Sequence, residues 1–169
     1  DAMRWYLLRD IEFGEDGDFQ MQRYVDIVNS DLSNTIGNLL NRTITMFKKW
    51  FNEKKLIDNT SLPESPLKAQ SEIKIKEYMG SFKDNNFKNS ANAIIDLANS
   101  ANLYLNERAP WKLIKDVDNK DIVAHDIYSV LEACRIIAIL LNPFVPNLSI
   151  RIFEQLKIDP SSINFQKSL

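Results

Sequence analysis

Apolar residues recur every third or fourth position through most of this chain, and that period restricts the fold more than any other feature. The clearest run reads Val123, Ile127, Val130, Leu131, Cys134, Ile137, Ala138 and Leu141. Such spacing lines apolar side chains along one side of a helix, whereas a half-buried strand would alternate every second residue. No segment alternates convincingly, and no internal repeat is present. Only four glycines occur, Gly14, Gly17, Gly37 and Gly80, too few for the turns of a many-stranded β fold. The expected fold class is all-α, a helical bundle of about five main helices joined by short connections.

Punctuation divides the pattern. Ala2 to Arg9 has helical spacing and ends at the turn-rich Gly14-Glu15-Asp16-Gly17-Asp18. A long amphipathic run starts at Gln20 and reaches Phe47, with a break or kink expected near Asn29 to Ser33. There, short polar side chains compete for backbone hydrogen bonds. Asp58 to Ser65 reads as a loop, and Ser65-Pro66 as an N-cap followed by proline at the first helical position. Helices are expected from Pro66 to about Met79 and from about Asn86 to Asn106, with a short helical turn after Pro110. A further helix carries Val123 to Leu141 and stops at Asn142-Pro143, since the residue before proline is pushed out of the α region. Pro146 starts a final helix, and the tail from Asp159 is polar and frayed.

With 169 residues, 44% hydrophobic and 26% charged, the chain has the make-up of an ordinary soluble domain, and no apolar run approaches a membrane span. One cysteine, Cys134, excludes an internal disulfide and suits a reducing compartment such as the cytoplasm. A single Cys and a single His (His125) cannot build a zinc site of the usual kind, and they weaken nucleophile–base catalysis. The acidic run Gly14 to Asp18 lacks the spacing of a calcium loop, so no metal is expected. A net charge of −2 argues against a generic polyanion binder held by counterion release. The chain opens mid-pattern at Asp1-Ala2-Met3-Arg4-Trp5, with no charged-then-apolar leader, as expected of a piece of something longer.

Two stretches carry candidate chemistry. In Asp31 to Thr43, Asn34, Asn38 and Arg42 are spaced four apart; at about 100° per residue they fall within about 80° of one another, bordering the core face. A solvated face would produce the same placement. Such faces, however, are usually rich in Lys and Glu, whereas this one holds amides and hydroxyls, which are poorer helix formers. The second stretch, Asn102 to Trp111, is a helix end halted by Pro110 and followed at once by an indole. A Trp in that position serves either as a core plug or as a stacking surface. Amides, a guanidinium and an indole are the groups that read and stack unpaired RNA bases. Trp5 and Trp50 are expected in the core, Cys134 as inert packing and His125 as exposed. Lys48, Lys49, Arg108, Lys112 and Lys115 could flank the site and meet phosphates.

Taken together, five stretches resemble the C-terminal part of the methionyl-tRNA synthetases, a family of class I aminoacyl-tRNA synthetases. They are Asp1 to Arg9, the Phe13 to Phe19 turn, Asn29 to Thr43, Ala98-Asn99 through Ala109-Pro110-Trp111, and Leu141 to Pro146. The likeness runs in order from residue 1 to about residue 157. It implies an anticodon-binding bundle at 20–157, preceded at 1–19 by the tail of the stem-contact region and followed by a C-terminal tail at 158–169. It further implies that Asn38, Arg42 and Trp111 recognise the methionine anticodon, Trp111 by stacking and the other two by hydrogen bonds. Asn34 and Asn106 are weaker carry-overs, and Asn102, Tyr104 and Pro110 shape the pocket.

The implied partners are methionine tRNA, through its anticodon loop, and the catalytic domain of the same parent chain; no membrane is involved. No His-Ile-Gly-His-type or Lys-Met-Ser-Lys-Ser-type motif occurs, nor any zinc-binding cysteines. The chain is thus expected to hold no catalytic residue and no cofactor, the parent enzyme using ATP and Mg. Two alternatives remain at this point: a helical protein–protein interaction module, or the anticodon domain of another class I synthetase.

Overall fold

A computed structural model describes residues 1–51 and 63–159, and the described residues form helices and turns without a strand. The first helix, α1 (Ala2–Asp10), leads through a turn to α2 (Met21–Ile27), a π-helical segment (Val28–Gly37) and α3 (Asn38–Phe51). Then come α4 (Pro66–Lys83), α5 (Phe87–Arg108), the single turn α6 (Pro110–Leu113), a 3₁₀ turn (Val117–Asn119), α7 (Lys120–Leu141) and α8 (Pro146–Leu156). The all-α expectation holds, and most boundaries lie within a few residues of those predicted; α4 runs four residues past Met79. Part of the predicted 58–65 loop and all of the tail after Asp159 lie outside the described residues.

The helix ends have local causes. Ser65 caps α4, its hydroxyl accepting from the Leu67 N–H at 3.3 Å, with Pro66 at the first helical position. Asn86 caps α5 in the same way, accepting from the Asn89 N–H at 3.0 Å. At α8 the cap comes from the far end of the chain: the Asp1 carboxylate accepts from the Leu148 N–H at 2.7 Å and from the Asn147 side-chain amide at 3.1 Å. A negative group there meets both the orphan N–H donors and the positive end of the helix dipole.

The core follows the predicted stripes. Helix α7 is buried along most of its length, between α5, α3, α4 and α8. An aromatic layer closes the other end of the bundle. Phe144, in the α7–α8 turn, meets Trp5 at 5.9 Å, Tyr78 at 6.2 Å and Phe82 at 6.2 Å, and Phe82 continues to Phe87 at 5.5 Å. Trp5 and Cys134 are buried as expected, and Trp50 is partly buried against the core. His125 is a correction: it is buried, not exposed. Helix α7 begins at Lys120, three residues before the apolar stripe suggested, so His125 lies in its second turn, where the helix already faces the bundle.

The expected break near Asn29 to Ser33 takes the form of the π-helical segment. Here the Asn38 N–H donates five residues back to the Ser33 carbonyl, and the Thr35 hydroxyl donates to the Ser30 carbonyl at 2.8 Å. Asp31, within this segment, is buried and accepts from the Trp5 indole N–H at 3.1 Å and the Arg9 guanidinium at 3.1 Å. That network fixes α1 to the long helical run.

Candidate nucleic-acid interface

Three side chains from three helices converge where α3 passes the C-terminal end of α5. Arg42 projects from the first turn and a half of α3, Asn106 from the last turn of α5, and Trp111 from α6. Arg42 Nη2 donates to Asn106 Oδ1 at 3.0 Å. Its guanidinium carbon stands 5.7 Å from the centroid of the Trp111 ring, within reach of a cation–π attraction. Trp111 is 37% exposed, so the indole is not a core plug. Asn106 and Arg42 are exposed as well.

The position of Trp111 has a traceable local cause. Helix α5 ends at Ala109, which adopts the left-handed conformation (φ 45°, ψ 55°) while its N–H still bonds the Leu105 carbonyl. Pro110 then opens α6 at its first position, and the abrupt change of direction swings the indole back toward α3. Beneath the corner, the Asp126 carboxylate of α7 is almost wholly buried. It accepts from the Tyr104 hydroxyl at 2.6 Å, and the Arg108 Nε lies 2.9 Å from both of its oxygens. Burial pushes the Tyr104 hydroxyl up to about 12, with the Asp126 hydrogen bond adding to the shift. The Asp126 carboxylate likewise raises the Arg108 guanidinium above its ordinary value.

Other expected members fall into place unequally. Asn38 is exposed one turn before Arg42 on α3. Asn34 is exposed too, but it lies in the π-helical segment. With i→i+5 bonding, each residue there advances by less than the α-helical 100°, so the wheel that set Asn34 in line with Asn38 does not apply across Gly37. Asn102 turns inward, its amide donating to the Thr35 carbonyl at 3.1 Å and the Ala98 carbonyl at 3.0 Å. Pro110 is buried under the site. Arg108, expected as a possible phosphate contact, is engaged through Nε by Asp126, whereas Lys112 and Lys115 are exposed.

Asp126 escaped the sequence reading, although a signal was there. It occupies the same stripe as Val123 and Val130, and a carboxylate on an apolar stripe must find donors. Asp31 escaped for another reason: it stands among the short polar residues Asn29, Ser30 and Ser33, which mark a break rather than a packed face.

Comparison with known proteins places this arrangement. A family model described as the anticodon binding domain of methionyl tRNA ligase matches residues 58–167, and one described as class I (M) tRNA synthetases matches residues 1–44. The methionine–tRNA ligase of Synechocystis is 42% identical over 158 residues, covering 92% of this chain and 30% of the relative. The chloroplastic/mitochondrial enzyme of Arabidopsis thaliana is 37% identical over 166 residues, covering 97% of this chain and 27% of the relative. The solved structure of free-state Mycobacterium tuberculosis methionyl-tRNA synthetase superposes with a TM-score of 0.92 at 26% identity, covering 99% of this chain and 34% of that one. A second structure of that enzyme, in complex with methionyl-adenylate, superposes with a TM-score of 0.91 at 25% identity, again covering 99% of this chain and 33% of that one. The chain therefore spans about a third of the length of the relatives it matches. An all-helical bundle with this order of elements, matched along nearly its whole length, belongs to the anticodon-binding domain family of the methionyl-tRNA ligases.

Proposed function

We propose that this chain reads the anticodon loop of methionine tRNA, Trp111 serving as a stacking platform and Asn38 and Arg42 as hydrogen-bonding groups, with Asn34 and Asn106 at the margin. The observation that carries the reading is the half-open indole of Trp111 with the Arg42 guanidinium set 5.7 Å from its centre. Unpaired bases can be splayed onto such a surface and hydrogen-bonded along their Watson–Crick edges, which a duplex keeps paired. The near-neutral charge of the chain fits recognition by stacking and base edges better than recognition by bulk electrostatics.

Within this reading, residues 1–19 form the tail of a stem-contact region, 20–157 the anticodon-binding bundle and 158–169 a C-terminal tail. Attachment of methionine to tRNA, with the ATP and Mg it consumes, belongs to a catalytic domain of the whole cytoplasmic protein, and this chain alone does not aminoacylate. Among the described residues no helix is long and apolar enough to cross a membrane.

Replacing Trp111 by Ala tests the reading. An aromatic platform is worth ~1–3 kcal/mol per base, so Trp111→Ala should weaken binding of methionine tRNA by about fivefold or more with little loss of helicity. Gel shifts with methionine tRNA, and with the same tRNA carrying a changed anticodon, check it. Undiminished binding by the variant, or equal binding of both tRNAs by the unmodified chain, would remove the site and leave a helical interaction module.

A further inference from the structure

Asn102 and Asn106 stand one turn apart on α5, and both reach across to the helical run that carries Asn38 and Arg42. The groups they touch, the Thr35 carbonyl and the Arg42 guanidinium, both meet α5 and so lie on the side of that run that faces it. We propose that these two amides are positioning residues: a two-point clamp that sets Arg42 against Trp111 before any RNA arrives. The inference rests on the base-reading proposal for its purpose, though not for its geometry.

The upper point acts on the π-helical segment. Its wider turn changes which N–H each carbonyl meets, and the Asn102 amide supplies a donor to Thr35 from outside the helix while also bonding the Ala98 carbonyl of its own. From within, the Thr35 hydroxyl spans five residues to the Ser30 carbonyl. Gly37 fits the same geometry, since a Cβ built there would come within 3.1 Å of the Leu32 carbonyl oxygen. Because α3 follows directly from this segment, its pitch sets the direction in which Asn38 and Arg42 leave the helix.

The lower point acts on one side chain. Arg42 is long and exposed, and fixing it on binding would lose rotamer freedom. By accepting from Nη2 at 3.0 Å, Asn106 confines the guanidinium beside the indole in the free protein. On this account Asn106 acts through Arg42 and does not itself touch a base.

The experiment uses the 169-residue chain and a synthetic RNA stem-loop carrying the methionine anticodon. Asn106→Ala should lower affinity about three- to tenfold, as expected for the net loss of one solvent-exposed hydrogen bond, while in an Arg42→Ala background the same change should have no further effect. Equal losses in both backgrounds would mean that Asn106 contacts RNA directly, overturning the lower point. A second readout needs no RNA: the Arg42 Nε–H proton resonance should carry a ring-current displacement that Trp111→Ala abolishes and Asn106→Ala reduces. No change on Asn106→Ala would also refute the clamp. For the upper point, Asn102→Ala should speed hydrogen exchange at the Asn38 amide and weaken RNA binding; wild-type values for both would refute it. Should Trp111→Ala bind RNA normally, the base-reading proposal fails, while the Arg42 resonance and the Asn38 exchange still decide the clamp.

Discussion

Asp126 shows how a single residue can hold up a surface it never reaches. A carboxylate this deeply buried persists only with matched donors, and Tyr104 and Arg108 supply them from the final turns of α5, immediately before the corner that presents Trp111. Burial has a second consequence at this scale. It pushes the Cys134 thiol and the Tyr104 hydroxyl each up to about 12, and raises Tyr78 as well. In the unfolded chain a thiol ionises at ~8.5 and a phenol at ~10, so from there up to the folded values the unfolded state binds fewer protons than the folded one. Stability is therefore fully present below about pH 8.5 and declines as pH rises toward 12. Urea titrations at stepped pH should show that decline, and Cys134→Ala should flatten its first part, between about pH 8.5 and 10. A slope unchanged by that substitution would mean the thiol is not shielded.

Among the elements, the α5–α6 corner and the π-helical segment were only partly legible in the sequence. Pro110 marked where α5 ends, but the left-handed residue there is Ala109, and neither the glycine nor the asparagine that usually announces such a cap is present. A non-glycine residue at φ 45° is strained by its own Cβ. Ala109→Gly should therefore stabilise the fold by about 1 kcal/mol, less whatever the freer unfolded chain takes back. A denaturant midpoint that rises, with an unchanged slope, would bear this out; a lower midpoint would mean that the Ala109 methyl makes packing contacts worth more than the strain. The π-helical segment falls where Asn29, Ser30, Asp31 and Ser33 compete with the backbone, a competition that marks a break but not its type. Helix wheels assume a fixed advance per residue, and the π-helical segment does not keep it, so the angle from Asn34 to the Asn38–Arg42 row is not the α-helical one. The row itself and its indole were legible because both depend on i, i+4 spacing and a proline stop. The supports beneath them, Asp31, Asp126 and the inward turn of Asn102, depend on tertiary partners that no local pattern encodes.

Across the whole molecule, the first ten residues are joined to the last helices at several points. Trp5 is completely buried and meets Phe144, while Arg4 donates from Nε to the Phe144 carbonyl and from Nη2 to the Pro143 carbonyl, each at 2.8 Å. Asp1 caps α8, and Arg9 shares the Asp31 carboxylate with the Trp5 indole. The first ten residues are therefore part of the core on which the later helices pack. Removing them empties the Trp5 socket, and a buried Trp lost from a core costs ~3–5 kcal/mol by itself, against a total stability of ~5–15 kcal/mol. A chain starting at Gln20 should thus melt far below the 169-residue chain, or expose enough apolar surface to bind a hydrophobic dye at room temperature. Circular dichroism melts of the two chains, run side by side, make the comparison. If they melt together, α1 is an ornament on a self-sufficient bundle. If the shorter chain collapses, the helices from Met21 onward and the segment preceding them are one folding unit, and the surface holding Arg42 and Trp111 is kept in shape partly from the opposite end of the molecule.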